Sequence, residues 1–175
     1  MAGKMMSSWK TIIASVVFAL CTFFHQQAVT AGEQGTIDFV QSISLTTQIA
    51  IEQADHKMIA IGGNGTMTIS KSDGGPFTEG SSGVVSVIAY IKQTDGGMHL
   101  ESPLAVSDPS GDKLFMVMRR STGTFDAGGG GQGRAELGGG TGKFEGLTGS
   151  CPYEVSFLDG GKVVVRATGC KWEKP

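Results

Sequence analysis

The fold is decided near the C-terminus, where two cysteines enclose the stretch C-P-Y-E-V-S-F-L-D-G-G-K-V-V-V-R-A-T-G-C, Cys151–Cys170. The runs on either side of Asp159-Gly160-Gly161 are rich in β-branched and aromatic residues, which is typical of two strands joined by a tight turn. If Gly160-Gly161 is a two-residue loop, Cys151 lies directly opposite Cys170, where cross-strand Cβ atoms are about 4.5–5.5 Å apart. If Asp159-Gly160 is the loop, the cysteines are offset. The first register predicts a structural disulfide, since no C-x-x-C redox motif is present.

A disulfide suits export, and the N-terminus carries the matching signal. Lys4 and Lys10 precede the apolar run Thr11–Phe24, whose 14 residues are fewer than the roughly 20 that span a membrane. This pattern indicates a secretory signal peptide, residues 1–31, with cleavage expected after Ala31 and Ala28 as a second choice. A retained membrane anchor is the alternative. The protein is therefore expected to be secreted or periplasmic, with residues 32–175 as one folded domain.

Composition narrows the function classes. The chain has 175 residues, with 14 Lys and Arg against 16 Asp and Glu, a net charge of −2 and a pI near 5.9. A nucleic-acid-binding protein needs a basic face, so we expect no nucleic-acid partner. No run of about 18 apolar residues follows the signal peptide, which predicts no stable membrane span in the processed form.

The rest of the processed chain reads as strands. From Ile37 to Ile51 the odd positions are nearly all apolar, which predicts either a half-buried strand or a strand with a bend near Gln41-Ser42. Met58–Ile61 is a short apolar run, and Gly62–Gly65 is predicted as the turn that ends it. Further turn signals recur along the chain, which indicates an antiparallel sandwich or barrel. A closed barrel is favoured because closure removes exposed edges.

A glycine tract separates the last strands. Eleven glycines lie between Gly128 and Gly149, and two nucleotide-binding motifs are incomplete within them. A phosphate-binding loop ending in Gly142-Lys143 would need glycine at Leu137, and Gly128–Gly133 is not followed by a helix. No cofactor is therefore expected. Glycine inside strands instead indicates bulges, sharp bends and close backbone approach.

The same tract carries a family resemblance. The segment G-G-T-G-K-F-E-G at Gly139–Gly146, followed by L-T-G-S at Leu147–Ser150, resembles the dirigent and allene-oxide-cyclase-like barrels, including an uncharacterised exported bacterial branch. The D-x-x-G-D-K element at Asp108–Lys113 and the G-x-x-W at Gly169–Trp172 are similar to that branch as well. The resemblance implies an all-β fold, a single closed antiparallel barrel of about eight strands with an apolar interior, the lumen. It transfers no site residue, because the shared segment is architectural.

Candidate catalytic residues are few. His99 and Glu101 are two apart on a predicted strand and so share a face; if that face looks into a lumen, the pair could act as a general base. Arg119 and Arg120 end a predicted strand and point opposite ways, so at most one enters a lumen. Arg119 shares a face with Phe115 and Val117 and could orient an anion. The simpler interpretations are a solvent-facing polar stripe and a surface ion pair.

Two other features offer weaker sites. Tyr90 and Tyr153 could be lumen hydroxyls, although a core role is the default for such apolar strands. The turn at Asp108–Asp112 is acidic but lacks the ligand spacing of an EF-hand, so we expect an ordinary Asp-Pro turn and no metal.

Two functions remain. The first is a non-catalytic module that binds a small apolar ligand or a partner; the alternative is a cyclase or isomerase that positions a reactive substrate in a dry lumen. The enzyme requires an open lumen with a buried ionisable group pointing inward. A lumen filled by Met, Phe and Ile would favour a structural or surface-interaction protein. The sequence sets neither the ligand nor the oligomeric state.

Overall fold

The computed structural model describes residues 32–175, so the predicted signal peptide and its cleavage site lie outside the described residues. Within this part of the chain every strand pairs antiparallel with its sequence neighbours, and the last pairs with the first to close a barrel. The strands are β1 Glu33–Glu52, β2 Lys57–Ser72, β3 Ser82–Thr94, β4 Gly97–Ser107, β5 Lys113–Arg120, β6 Gly130–Gly140, β7 Thr148–Leu158 and β8 Lys162–Lys174. Two single 3-10 turns, Gly142–Phe144 and Asp159–Gly161, connect the last three strands. The prediction of an all-β closed barrel is confirmed.

Strand β1 keeps the predicted period of two only over its first half. Ile37, Phe39 and Ile43 are buried in the lumen as expected. The register of β1 against β2 shifts between Leu45 and Thr47, and such a bulge moves all following side chains to the other face. Ile49 consequently points outward and is 60% exposed. The alternative of a bend near Gln41-Ser42 is wrong, because the register shifts of β1 against β2 lie on either side of these residues.

Strand β2 contradicts the predicted turn at Gly62–Gly65, because it runs without interruption through these residues. The glycines instead allow β1 to approach closely. A Cβ atom on Gly65 would lie 2.0 Å from the backbone oxygen of Ser42, so only glycine fits there.

The C-terminal hairpin forms the predicted disulfide by a different register. Its loop has three residues, Asp159–Gly161, and Leu158 pairs with Lys162. Neither predicted two-residue loop is therefore correct. A register shift between Ser150 and Tyr153 places one extra residue in β8, where Gly169 has a φ of 66°. This bulge brings Cys151 opposite Cys170, with Cα atoms 4.1 Å apart and the sulfur atoms bonded.

One end of the barrel, here called the closed end, is filled by aromatic side chains. Phe77, from the connection after β2, lies 5.5 Å from Phe144 and 5.8 Å from Trp172, measured between ring centroids. All three side chains are buried. Burial of such rings supplies much of the apolar contact that holds a small domain together.

The opposite end, here called the cavity end, has an uneven rim. Strand β1 pairs with β8 only as far as Ser44, but with β2 as far as Glu52. The connection between β5 and β6, residues 121–129, lies at this rim. Its Phe125 packs against a buried cluster on β2, β3 and β4, formed by Ile59, Ile61, Ile91 and Leu100. No helix within residues 32–175 is long and apolar enough to cross a membrane.

Candidate functional site

A cavity occupies the lumen towards the cavity end. Its volume is about 70 Å³, room for about five water molecules. Its walls are almost entirely apolar and include Ile61, Ala89, Ile91, Met118, Phe157 and Val163. Among the lining residues only Ser102, Arg120 and Tyr153 carry polar side-chain groups. An apolar pocket with a few converging polar groups is the usual form of a small-molecule site.

Arg120 is the charged group of this cavity. It ends β5 on the inward face and is 4% exposed. Its Nη1 donates hydrogen bonds to the backbone oxygens of Thr122 at 3.0 Å and Gly130 at 3.1 Å, and Nη2 donates to that of Thr124 at 2.9 Å. The guanidinium carbon lies 5.3 Å from the centroid of the Phe157 ring. Arg120 therefore holds the β5–β6 connection at the cavity end.

The glycine tract makes room for these side chains. Gly131 and Gly133 are on the inward face of β6, where a Cβ on Gly131 would lie 2.7 Å from Nη1 of Arg120. A Cβ on Gly133 would lie 2.5 Å from the hydroxyl oxygen of Tyr153, its partner on β7. The glycines that the sequence attributes to close approach thus form a space for a guanidinium and a phenol.

Burial sets the electrostatics of the pair. It lowers the pKa of Arg120, an effect that the nearby Tyr153 opposes. Burial likewise raises the pKa of Tyr153 to about 12, against the opposing effect of Arg120. At neutral pH the cavity therefore contains one guanidinium cation and a neutral phenol. No carboxylate of residues 32–175 forms an ion pair with Arg120. Ser102 donates its hydroxyl proton to the backbone oxygen of Ile88 at 3.1 Å.

The three predicted catalytic candidates lie on the outer face of the barrel. His99 is exposed, and the Nε of Arg119 donates a hydrogen bond to Glu101 at 3.0 Å. Arg119 also donates a hydrogen bond to Glu136. The hydrogen bonds to Glu101 and to Glu136 raise the pKa of Arg119. The structure thus brings Glu101 and Arg119 together as a surface ion pair and leaves His99 apart. None of the three lines the lumen.

The sequence missed Arg120 because both faces of β5 are apolar. Leu114, Met116 and Met118 precede Arg120 on the inward face, whereas Phe115 and Val117 precede Arg119 on the outer one. The inward face is the more continuously apolar of the two and is rich in methionine. This difference could have indicated from the sequence that Arg120 points into the lumen. Of the two tyrosines, Tyr153 is inward and Tyr90 is outward, with 51% of its surface exposed.

The acidic turn after β4 is built around its first residue. Asp108 Oδ1 accepts hydrogen bonds from the backbone nitrogens of Ser110 at 2.8 Å and Asp112 at 3.1 Å. Partial burial works to raise the pKa of Asp108, but hydrogen bonds from Lys143 and Ser110 and the charge of Lys143 lower it to about 2. The turn is thus held by its own contacts and fixed to the 3-10 turn of the closed end. Residues 32–175 contain no group of three metal-ligating side chains.

Comparison with known proteins finds no matching family model, no similar curated protein and no similar solved structure.

Proposed function

We propose that this protein is an exported, non-catalytic module that binds a small apolar ligand in its lumen. The observation that carries the proposal is the cavity of about 70 Å³, apolar on nearly every side, at the end of the barrel opposite the aromatic cluster. The disulfide and the N-terminal apolar run support a secreted or periplasmic location, since structural disulfides persist in oxidising compartments.

The size of the cavity limits the ligand. At about 70 Å³ it is smaller than the engineered apolar cavity of about 150 Å³ that binds benzene, and smaller than the pockets of about 300–1,000 Å³ that hold drug-sized molecules. A ligand of the size of hexan-1-ol therefore requires the β5–β6 connection to move aside.

A filled-cavity variant tests the proposal. Ala89 lines the cavity, so Ala89→Leu should occupy the space without adding a charge. Ala60 lies on the outer face, paired with Tyr90, and Ala60→Leu is the matched control. Titration with hexan-1-ol, followed through the methyl NMR signals of Ile61 and Met118, should show saturable binding. We expect Ala89→Leu to weaken it by at least about tenfold and Ala60→Leu to leave it unchanged. Equal affinity in all three proteins would refute a lumen site.

A cyclase or isomerase of the allene-oxide-cyclase or dirigent type is the second candidate. Arg120 and Tyr153 favour it, because such an enzyme needs an inward-pointing ionisable group in a dry lumen. Native mass spectrometry of protein purified from its own compartment, with chromatography of the released molecule, separates the two functions. A carrier returns the molecule that was supplied to it, whereas an isomerase returns a product of the same mass with a different retention time.

A further inference from the structure

The buried guanidinium points to the chemical class of the ligand. We propose that the lumen selects small molecules with an apolar body and one carboxylate, and that Arg120 binds the carboxylate. This inference rests on the lumen-binding function proposed above and adds a head-group specificity to it.

Arg120 has hydrogen-bond donors that the protein does not use. Its three hydrogen bonds to backbone oxygens use both hydrogens of Nη1 and one of Nη2. Within the described part of the chain, the Nε hydrogen and the second Nη2 hydrogen have no acceptor. Nε and Nη2 share one edge of the planar group, and arginine binds carboxylates through such neighbouring donors.

The charge of Arg120 also points to an anionic ligand. Arg120 is 4% exposed and lines an apolar cavity, where an uncompensated cation is costly. The neighbouring Arg119 has two carboxylate partners on the outer face, whereas Arg120 has none among residues 32–175. An anionic ligand would supply the missing charge, while a neutral ligand of the same shape would leave it uncompensated.

Tyr153 supplies a second hydrogen-bond donor. Because Gly131 and Gly133 carry no side chain, the guanidinium of Arg120 and the phenol of Tyr153 can occupy the space beside them. Both side chains line the same cavity, and the neutral phenol can donate a further hydrogen bond to a carboxylate. The apolar walls of the cavity then contact the hydrocarbon part of the ligand.

Hexanoate and hexanamide test the proposal as a pair, because they have the same shape and differ in charge. We expect the purified protein to bind hexanoate at least about tenfold more tightly than hexanamide near pH 7, measured by calorimetry or methyl NMR. Arg120→Met should abolish this preference, so that its affinities for hexanoate and hexanamide become equal within about threefold. Arg119→Met removes the same side chain from the outer face and should keep the preference.

Other outcomes are decisive. If Arg120→Met fails to fold, Arg120→Lys keeps the charge without the planar pair of donors and should lower the preference for hexanoate severalfold. Equal affinities for hexanoate and hexanamide in the unmodified protein would overturn the carboxylate site and leave lumen binding intact, with Arg120 serving only the β5–β6 connection. Absence of binding by both ligands and by hexan-1-ol would overturn both proposals.

Discussion

Reduction of the Cys151–Cys170 disulfide should lower the thermal stability of the barrel without changing its fold. The bridge joins residues separated by 19 positions. In the chain-entropy treatment, a loop of that length costs the unfolded state about 11 cal/mol/K, which corresponds to about 3 kcal/mol at 25 °C. For a domain of this size the entropy of unfolding is about 0.3 kcal/mol/K, so the expected fall in Tm is about 10 °C.

The measurement is calorimetric unfolding of the protein refolded with and without a reductant. Both sulfur atoms are fully buried, so refolding is needed for the reductant to reach them, and alkylation with mass spectrometry confirms that both thiols are free. The double variant Cys151→Ala, Cys170→Ala should respond to neither condition and should unfold near the reduced protein. A Tm that falls by less than about 2 °C on verified reduction would refute the argument that the bridge restrains the unfolded chain.

Three further changes probe the ends and the lumen. Phe144→Ala should lower the free energy of unfolding by about 3–5 kcal/mol, because it leaves a cavity at the closed end. Phe115→Ala removes a side chain that is 42% exposed and should cost less than about 1 kcal/mol. Chemical denaturation measures both free energies. Gly133→Ala should destabilise by about 1–3 kcal/mol, because its Cβ would clash with the backbone oxygen of Arg119 and with Tyr153. Gly138→Ala, whose Cβ would lie 3.7 Å from its nearest neighbour, should not destabilise, and equal stabilities would contradict the packing described. Burial raises the pKa of Tyr153 to about 12, so the unfolded state loses the phenol proton at a lower pH than the folded state. Stability should therefore fall between about pH 10 and pH 12. In alkaline denaturation curves, Tyr153→Phe should remove this part of the fall.

The alternation of apolar residues predicted strands in a sandwich or a barrel, and the cost of exposed edges together with the family resemblance favoured the closed barrel. None of these indicated which face of each strand points inward along its whole length. In β1 a bulge after Leu45 reverses the faces, so the same odd positions that bury Phe39 expose Ile49. A bulge depends on pairing with two neighbouring strands, and neither partner is visible in a local pattern. The glycines of β2 were wrongly predicted to form a turn for a similar reason. Glycine is required at position 65 by the backbone of Ser42, which lies on another strand.

The site was less predictable than the fold. The sequence placed Arg119 and Arg120 on opposite faces, as they are, but could not say which faces the lumen. A shift of one residue in the register of β5 would turn Arg119 into the lumen and Arg120 to the outer face. The inward tyrosine and the glycines that accommodate it lie on β7 and β6, paired through Gly133 and Tyr153, and this proximity exists only after the barrel closes.

The most direct test of ligand binding in the lumen is an isotope-filtered nuclear Overhauser experiment on the hexan-1-ol complex. The outer surface of β3 offers a competing apolar patch, because Val84, Ile88 and Tyr90 are 61%, 49% and 51% exposed. A ligand in the cavity should give cross-peaks to the side chains of Ala89 and Met118 and none to that patch. Cross-peaks to Val84 and Ile88, with none to Met118, would place the ligand on the surface and contradict the lumen site.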